Sequence, residues 1–187
     1  PAFNATDGFM PGLLVYNNYL PVKNFEYRIM PLFGIKSERF AGLAKVSINK
    51  NFNSKIFKNT VIEAGVKQFS QNEEAAYQKF HANLILNFRT KDLNRNLQFF
   101  ANNISVSNTN SSPLYYQQTG IIFSDRSAIN PFEIKGQFEH GAAYVKIEFD
   151  SRYHINYNEK YGLDIEFFAG WLDYYDFENY PYNVNFR

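Results

Sequence analysis

Residues 143–171 read AYVKIEFDSRYHINYNEKYGLDIEFFAGW, and this stretch decides the fold. In its first arm Ala143, Val145, Ile147, Phe149, Ser151, Tyr153, Ile155 and Tyr157 alternate with Tyr144, Lys146, Glu148, Asp150, Arg152, His154 and Asn156. A period of two puts successive side chains on opposite faces, which is the signature of an extended strand. After Asn158-Glu159-Lys160 the alternation resumes, with Tyr161, Leu163, Ile165, Phe167, Ala169 and Trp171 apolar and Gly162, Asp164 and Glu166 among the residues between them. The two arms predict a hairpin. A three-residue loop, Asn158 to Lys160, pairs Tyr157 with Tyr161, Ile155 with Leu163 and Tyr153 with Ile165. A two-residue loop would set polar against apolar, because a one-residue slip inverts the faces of a strand. The same register sets His154 opposite Asp164 and Arg152 opposite Glu166, opposite charges across one ladder.

The first arm keeps its pattern for about fifteen residues, against about five or six in the commonest strands of soluble domains. A strand that crosses a bilayer on a slant needs about nine to eleven, and barrel strands often extend beyond the lipid. Length therefore points to a membrane barrel.

The rest of the chain repeats the theme. Phe9 to Tyr16 reads as a strand closed by Asn17-Asn18 and Pro21. Phe25, Tyr27, Ile29, Pro31, Phe33 and Ile35 alternate with Glu26, Arg28, Met30, Leu32, Gly34 and Lys36, and the pattern returns in Phe40, Gly42, Ala44, Val46 and Ile48. Pairing Phe33 with Gly42 and Ile29 with Val46 keeps apolar on apolar, with Lys45 and Ser47 on the Glu26 side. Pro31 cannot donate to a ladder, so it belongs at a bulge or where its missing N–H faces no partner. Asn49 to Asn59, rich in Asn, Lys and Ser, reads as a long loop. Further strands are expected around Ile62 to Val66, Phe80 to Phe88, Leu97 to Val106, Leu114 to Ser124 and Phe132 to Phe138. Turns are expected at Gln71 to Ala76, Thr90 to Asn96, Ser107 to Ser112 and His140 to Ala142. No sustained helical period is present. The expectation is one all-β domain over residues 1–187. It is an antiparallel meander that closes into, or forms part of, a transmembrane β-barrel of about ten or more strands, since closure removes unpaired edges.

Lys and Arg number 19 against 18 for Asp and Glu, so no polyanionic partner is advertised and nucleic acid is not expected. Phe and Tyr number 20 and 14 against a single Trp. That aromatic richness suits the girdles of membrane barrels. With no cysteine there is neither a disulfide framework nor a thiolate metal site. A mean hydropathy of −0.41 and the lack of any long apolar run exclude a spanning helix but not a spanning barrel, whose lumen residues dilute the lipid-facing ones. The chain starts at Pro1 without an initiator Met, a basic n-region or an apolar h-region, and its ends look cut from a longer polypeptide.

Three groups of residues carry a resemblance. They are Asp7-Gly8-Phe9-Met10 with Gly12-Leu13; Met30-Pro31-Leu32-Phe33-Gly34 with Lys36-Ser37 and Ala41-Gly42-Leu43; and Gly162-Leu163-Asp164-Ile165 with Phe168-Ala169-Gly170. Together, over most of the chain, they resemble the barrel-like region that follows the catalytic part of aminopeptidase-N-like (gluzincin) metallopeptidases of Gram-negative bacteria. The resemblance implies a segment of the bacterial outer membrane, in contact with its lipid and covalently linked to an upstream zinc peptidase domain. The family's H-E-x-x-H zinc helix does not occur in this chain.

Nor do a nucleophile elbow, a P-loop or a dinucleotide fingerprint occur. No catalytic, metal or cofactor-binding residue is assigned, and the segment is expected not to be an enzyme. His154 reads either as an acid–base residue oriented by Asp164 or as one half of a cross-strand polar pair. Lys146, Glu148, Asp150, Arg152, His154, Asp164 and Glu166 are the candidate lumen-facing polar residues; they would line a selective pore or form a solvated face. Tyr174-Tyr175 and Tyr180 to Tyr182 read as girdle or packing residues, or as a platform that stacks sugars. Three functions fit. The first is a membrane barrel that anchors or exports an attached domain or passes solutes. The second is a soluble lipocalin-like barrel with its apolar face around a small ligand. The third is a β-rich adhesion module.

Overall fold

Side chains that alternate in polarity need a backbone of period two, and the chain adopts one almost throughout. The computed structural model describes residues 1–17, 23–70, 76–108, 113–158 and 161–174. A small hairpin of β1 (Ala2–Asn4) and β2 (Gly8–Met10) comes first. It is followed by β3 (Val15–Tyr16), β4 (Phe25–Gly34), β5 (Arg39–Asn51), β6 (Phe57–Ser70), β7 (Ala76–Phe88) and β8 (Arg95–Asn108). The chain continues through β9 (Leu114–Asp125), β10 (Phe132–His140), β11 (Tyr144–Asn158) and β12 (Tyr161–Tyr174). From β3 to β12 each strand pairs with the next in sequence, and every pairing is antiparallel. The fold is an all-β, ten-stranded antiparallel meander. Among the described residues there is no helix, and the sheet is open, with β3 and β12 at its edges.

The deciding hairpin has the expected register: Arg152 pairs with Glu166, Tyr153 with Ile165, His154 with Asp164 and Ile155 with Leu163. It departs at the tip. The ladder shifts by one residue, so Tyr161 pairs with Asn158 and not with Tyr157, and Asn158 belongs to the strand. The other expected loop residues, 159 and 160, lie outside the described residues.

The β4–β5 hairpin corrects its expected register by two residues. Phe33 pairs with Phe40, Ile29 with Ala44 and Pro31 with Gly42. A two-residue shift conserves both faces, so alternation alone does not detect it. The turn that sets it, Ile35 to Glu38, contains a residue at positive φ, Glu38 at 55°. Gly42 has φ +134°, and a Cβ there would stand 2.1 Å from the Met30 carbonyl oxygen. Only glycine fits this kink opposite the proline. Pro31 accepts a hydrogen bond from the Leu13 N–H at 3.3 Å, so its own nitrogen faces the same edge, where the ladder lapses between Gly12 and Val15.

Asn49 to Asn59 is not a long loop. Asn49, Lys50 and Asn51 continue β5 and pair with Val61, Thr60 and Asn59 of β6, leaving 52–56 as the connection. Polar composition here marks strand ends that project past the apolar zone. Phe9 to Tyr16 is broken into β2, a lone bridge from Gly12 to Leu32, and β3. Pro11 and Gly12 interrupt it, yet the segment still covers the free edge of β4: the carbonyls of Asp7, Phe9 and Pro11 accept from the N–H groups of Lys36, Ile35 and Phe33 at 3.0 to 3.1 Å. The expected turns shorten similarly, since Ala76, Arg95, Asn96, Ser107, Asn108 and His140 are ladder residues. Residues 71–75 and 109–112 lie outside the described residues.

Registers from β4 to β12 keep one parity, which defines two faces. The first carries Phe25, Ile29 and Phe33 of β4, Val46 and Ile48 of β5, Ile62 and Val66 of β6, and Phe80, Leu84 and Phe88 of β7. It continues through Phe99, Ile121, Phe138, Ile147, Phe149, Ile165 and Phe167. Most of these side chains are exposed. The small buried core lies against the other face, where Met10, Leu32 and Ala41 cluster with Ala2, Met30 and Phe69. The N-terminal hairpin thus sits on the polar face, at the end of the sheet where β4 turns into β5. Asp7 anchors it, fully buried. Its carboxylate accepts from the Ser37 hydroxyl at 2.6 Å and the Asn4 amide at 2.8 Å, and its N–H donates to Asn4 Oδ1 at 2.6 Å.

Candidate functional site

Register alone brings all seven expected residues onto one face. Lys146, Glu148, Asp150, Arg152 and His154 occupy alternate positions of β11, and Asp164 and Glu166 face them from β12. Lys146 Nζ lies 2.5 Å from Glu148 Oε1, and Glu148 also accepts from the Gln137 amide at 3.0 Å. Arg152 Nε stands 3.4 Å from Glu166 Oε1. Asp150 faces Lys135 across β10 and Phe168 across β12.

His154 is held at both ring nitrogens, Nδ1 by Asp164 Oδ1 at 2.6 Å and Nε2 by Asn156 Oδ1 at 3.0 Å. The Asn156 amide cannot turn, because its Nδ2 donates to the backbone carbonyls of Ala128 and Ile129. Its oxygen therefore points at the histidine, so that Asp164 and Asn156 between them occupy both ring nitrogens. The ring lies over Gly162, where a Cβ would come within 2.6 Å of Cε1. A general base needs one ring nitrogen free to accept. The geometry is that of a polar clamp, which joins the tip of β11 to the 126–131 connection; there the His154 N–H also donates to the Pro131 carbonyl at 3.0 Å. Beside the clamp, a recess of about 280 Å³ is lined by Asp125, Arg126, Glu133, Arg152, Asp164 and Glu166.

Sequence reading alone did not find the wider polar network. One register row crosses the face from β5 to β11, from Ser47 through Glu63, Asn83, Asn102, Gln118 and Glu139 to Lys146. Within it Asn83 donates to Glu63 at 3.2 Å, Asn102 to Gln118 at 3.4 Å and Gln118 to Glu139 at 2.5 Å, while Tyr144 donates to Glu139 as well. Lys45 and His81 close on Glu63 from either side. The available signal was the polar half of each alternation, but assembling the row needs six registers at once. Phe100 interrupts the polar face as a buried ring beside Gly120, where a Cβ would meet it at 2.6 Å.

The apolar face is organised too. Apart from the bulged Lys58, its Asp, Glu, Lys and Arg residues in β4 to β12 are Lys50, Arg95, Asp125 and Asp173, each at or next to a strand end. Aromatic residues flank the uncharged zone. Phe25 and Phe33, Phe80 and Phe88, and Tyr115 and Phe123 each stand eight residues apart on this face. At one end Phe57 packs on Phe88 with centroids 5.3 Å apart and Phe123 on Phe132 at 5.4 Å; at the other Phe33 packs on Phe40 at 5.4 Å. Tyr174 lies close to Tyr144, ring centroids 6.0 Å apart, in a packing role; Tyr175 and Tyr180 to Tyr182 lie outside the described residues.

Among the described residues no three His, Cys, Asp or Glu side chains converge to hold a metal ion. Compared with known proteins, the chain matches no family model, no curated protein and no solved structure.

Proposed function

We propose that this chain is a noncatalytic segment of an outer-membrane β-barrel, with its apolar face against lipid and its polar face toward a hydrated interior. The observation that carries the reading is the uncharged zone bracketed by aromatic residues. Eight residues of strand rise about 27 Å, and a slant of about 40° reduces this to about 21 Å, close to the apolar band of an outer-membrane barrel. Water does not account for so many exposed Ile, Leu and Phe side chains on adjoining strands, since soluble monomers rarely expose contiguous apolar patches beyond a few hundred Å². In this reading Lys146, Glu148, Asp150, Arg152, His154, Asp164 and Glu166 face the lumen. The barrel anchors or exports an attached domain, and the sequence resemblance makes that domain a zinc peptidase.

Expression followed by membrane fractionation tests the lipid contact. The chain should remain with the membrane and come into solution only with detergent. Recovery as a monodisperse monomer without detergent would overturn the reading and favour a lipocalin-like barrel. Assay with zinc and chromogenic aminoacyl substrates tests the second half: no turnover is expected, and zinc-dependent turnover lost in His154→Ala would assign the chemistry to this segment.

A further inference from the structure

No Asp or Glu occurs between Glu38 and Glu63, while Lys50, Lys55 and Lys58 gather around the connection from β5 to β6. Lys50 stands near the end of β5 on the apolar face, opposite Thr60. Lys58 is the bulged residue of β6, surplus to the ladder, and Lys55 lies in the connection itself. All three side chains are exposed. Among the described residues none of them pairs with a carboxylate, whereas Arg95, on the same face and at the same end of the sheet, pairs with Asp125. At the other end the charge on this face is Asp173. The connection is held in shape. Phe52 N–H donates to the Lys58 carbonyl at 3.0 Å and Arg89 N–H to the Ile56 carbonyl at 2.7 Å, while Arg89 Nη2 donates to the Phe52 carbonyl at 3.0 Å. Lys50 Nζ lies 5.6 Å from the centroid of the Phe52 ring, and Phe52, Phe57 and Phe88 follow one another with centroids 6.3 and 5.3 Å apart. The cations thus adjoin the aromatic row that closes the uncharged zone.

We propose that Lys50, Lys55 and Lys58, with Arg89 beside them, bind the phosphate of an anionic lipid headgroup. The proposal deepens the lipid reading above and rests on it. Clustered cations without a carboxylate repel one another, and an anion set among them relieves that repulsion. Ammonium and guanidinium groups donate charge-assisted hydrogen bonds to phosphate oxygens. Only one of the five N–H donors of the Arg89 guanidinium is engaged by Phe52, so the others can reach a ligand. Lysine stems lie along apolar surface while their heads reach the headgroup layer, and aromatic residues mark that depth. Clusters of Lys and Arg beside a membrane are accordingly sites for anionic headgroups. A free phosphate ion would gain nothing from the row of phenylalanines alongside, whereas the acyl chains of a lipid would lie against it.

Native mass spectrometry of the full chain in detergent, with equal amounts of phosphatidylglycerol and phosphatidylcholine added, reads the preference. The unsubstituted protein should retain phosphatidylglycerol over phosphatidylcholine. The double variant Lys50→Gln, Lys58→Gln should lower that ratio by about tenfold or more, since each lysine at an anionic lipid surface contributes about fivefold. Both side chains are exposed, so the sheet forms without them. Lys67→Gln with Lys79→Gln removes the same charge from a facing pair on the polar face, toward the other end of β6 and β7, and should leave the ratio unchanged. Equal retention of the two lipids by the unsubstituted protein, or equal falls in the two double variants, would overturn the proposal. Displacement of phosphatidylglycerol by an equal concentration of inorganic phosphate would also overturn it and would assign the cluster to a free anion. These outcomes leave the lipid contact standing; recovery of the chain as a detergent-free monomer overturns both readings together.

Discussion

Arg152 and Glu166 face each other directly across β11 and β12, and their side chains remain 72% and 70% exposed. An ion pair so open to water has little Coulomb energy left after screening and after two long side chains are fixed. A double-mutant cycle with Arg152→Ala and Glu166→Ala should give a coupling below about 1 kcal/mol, shrinking further in high salt. A coupling several times larger would mean that this corner of the polar face is desolvated.

Geometry reports the same register more firmly than energy does. Tyr153 and Ile165 are direct neighbours, whereas Tyr153 and Glu166 lie on opposite faces. The double variant Tyr153→Cys, Ile165→Cys should oxidise readily, and Tyr153→Cys, Glu166→Cys should not, given a Cβ separation of about 3.5 to 4.5 Å in a disulfide. Non-reducing electrophoresis after mild oxidation reads both, and the reverse order of yields would mean that one arm has flipped.

Ile147 and Gln137 allow the two faces to be compared with one substitution. Ile147 is in the uncharged zone, and Gln137 is across the ladder from Glu148, to which its amide donates. Ile147→Arg should destabilise the protein in lipid by about 2 to 4 kcal/mol, while Gln137→Arg, beside a carboxylate, should cost much less. Equal losses in urea titrations of the bilayer-inserted protein would remove the distinction between the faces.

Asp7 predicts an acid-sensitive N-terminal hairpin. Burial works against its charge, but the hydroxyls of Ser37 and Ser70, the amide of Asn4 and the backbone of Ser70 together hold its carboxyl below the ordinary carboxylate value. Because the folded value is depressed, the stability that Asp7 contributes is present above the unfolded value, about 4, and is lost as pH falls through the folded one. Asp7→Ala should cost about 1 to 3 kcal/mol at neutral pH by leaving its donors unpartnered. Thermal melts should show the difference from the parent shrinking toward strong acid; a difference independent of pH would mean that the anchor acts by packing alone.

Residues whose side chains declare both faces made much of this fold legible in advance. Opposed apolar rows and opposed charges specified β11 and β12 down to Ile155 and Leu163. The β4–β5 register was not legible, because Phe33 keeps its face whether it meets Phe40 or Gly42, and the turn with Glu38 at positive φ chooses between them. Asn49 to Asn51 were misread because Asn and Lys disfavour strands on average, whereas here they extend a ladder already set by Val46 and Ile48. The seven candidate residues share one face of the β11–β12 ladder. The partners that engage several of them, Gln137 and Asn156 above all, come from a strand register and a loop contact that local pattern does not encode. Asp7 was not legible as an anchor, because its burial depends on Ser37 and Ser70 far along the chain.

The shared parity of the ladders also governs how a sequence of this kind can change length over generations. Losing one residue inside β7 would turn every side chain beyond it to the wrong face, so viable insertions and deletions within strands come in twos, or as whole hairpins. Lys58 is an exception. Phe57 and Asn59 on either side of it pair with the consecutive residues Phe88 and Asn87, so deleting Lys58 would leave an unbroken ladder with every face unchanged. A lineage could discard that residue in a single step, and nowhere in the regular ladder of β7 is the same step open to it.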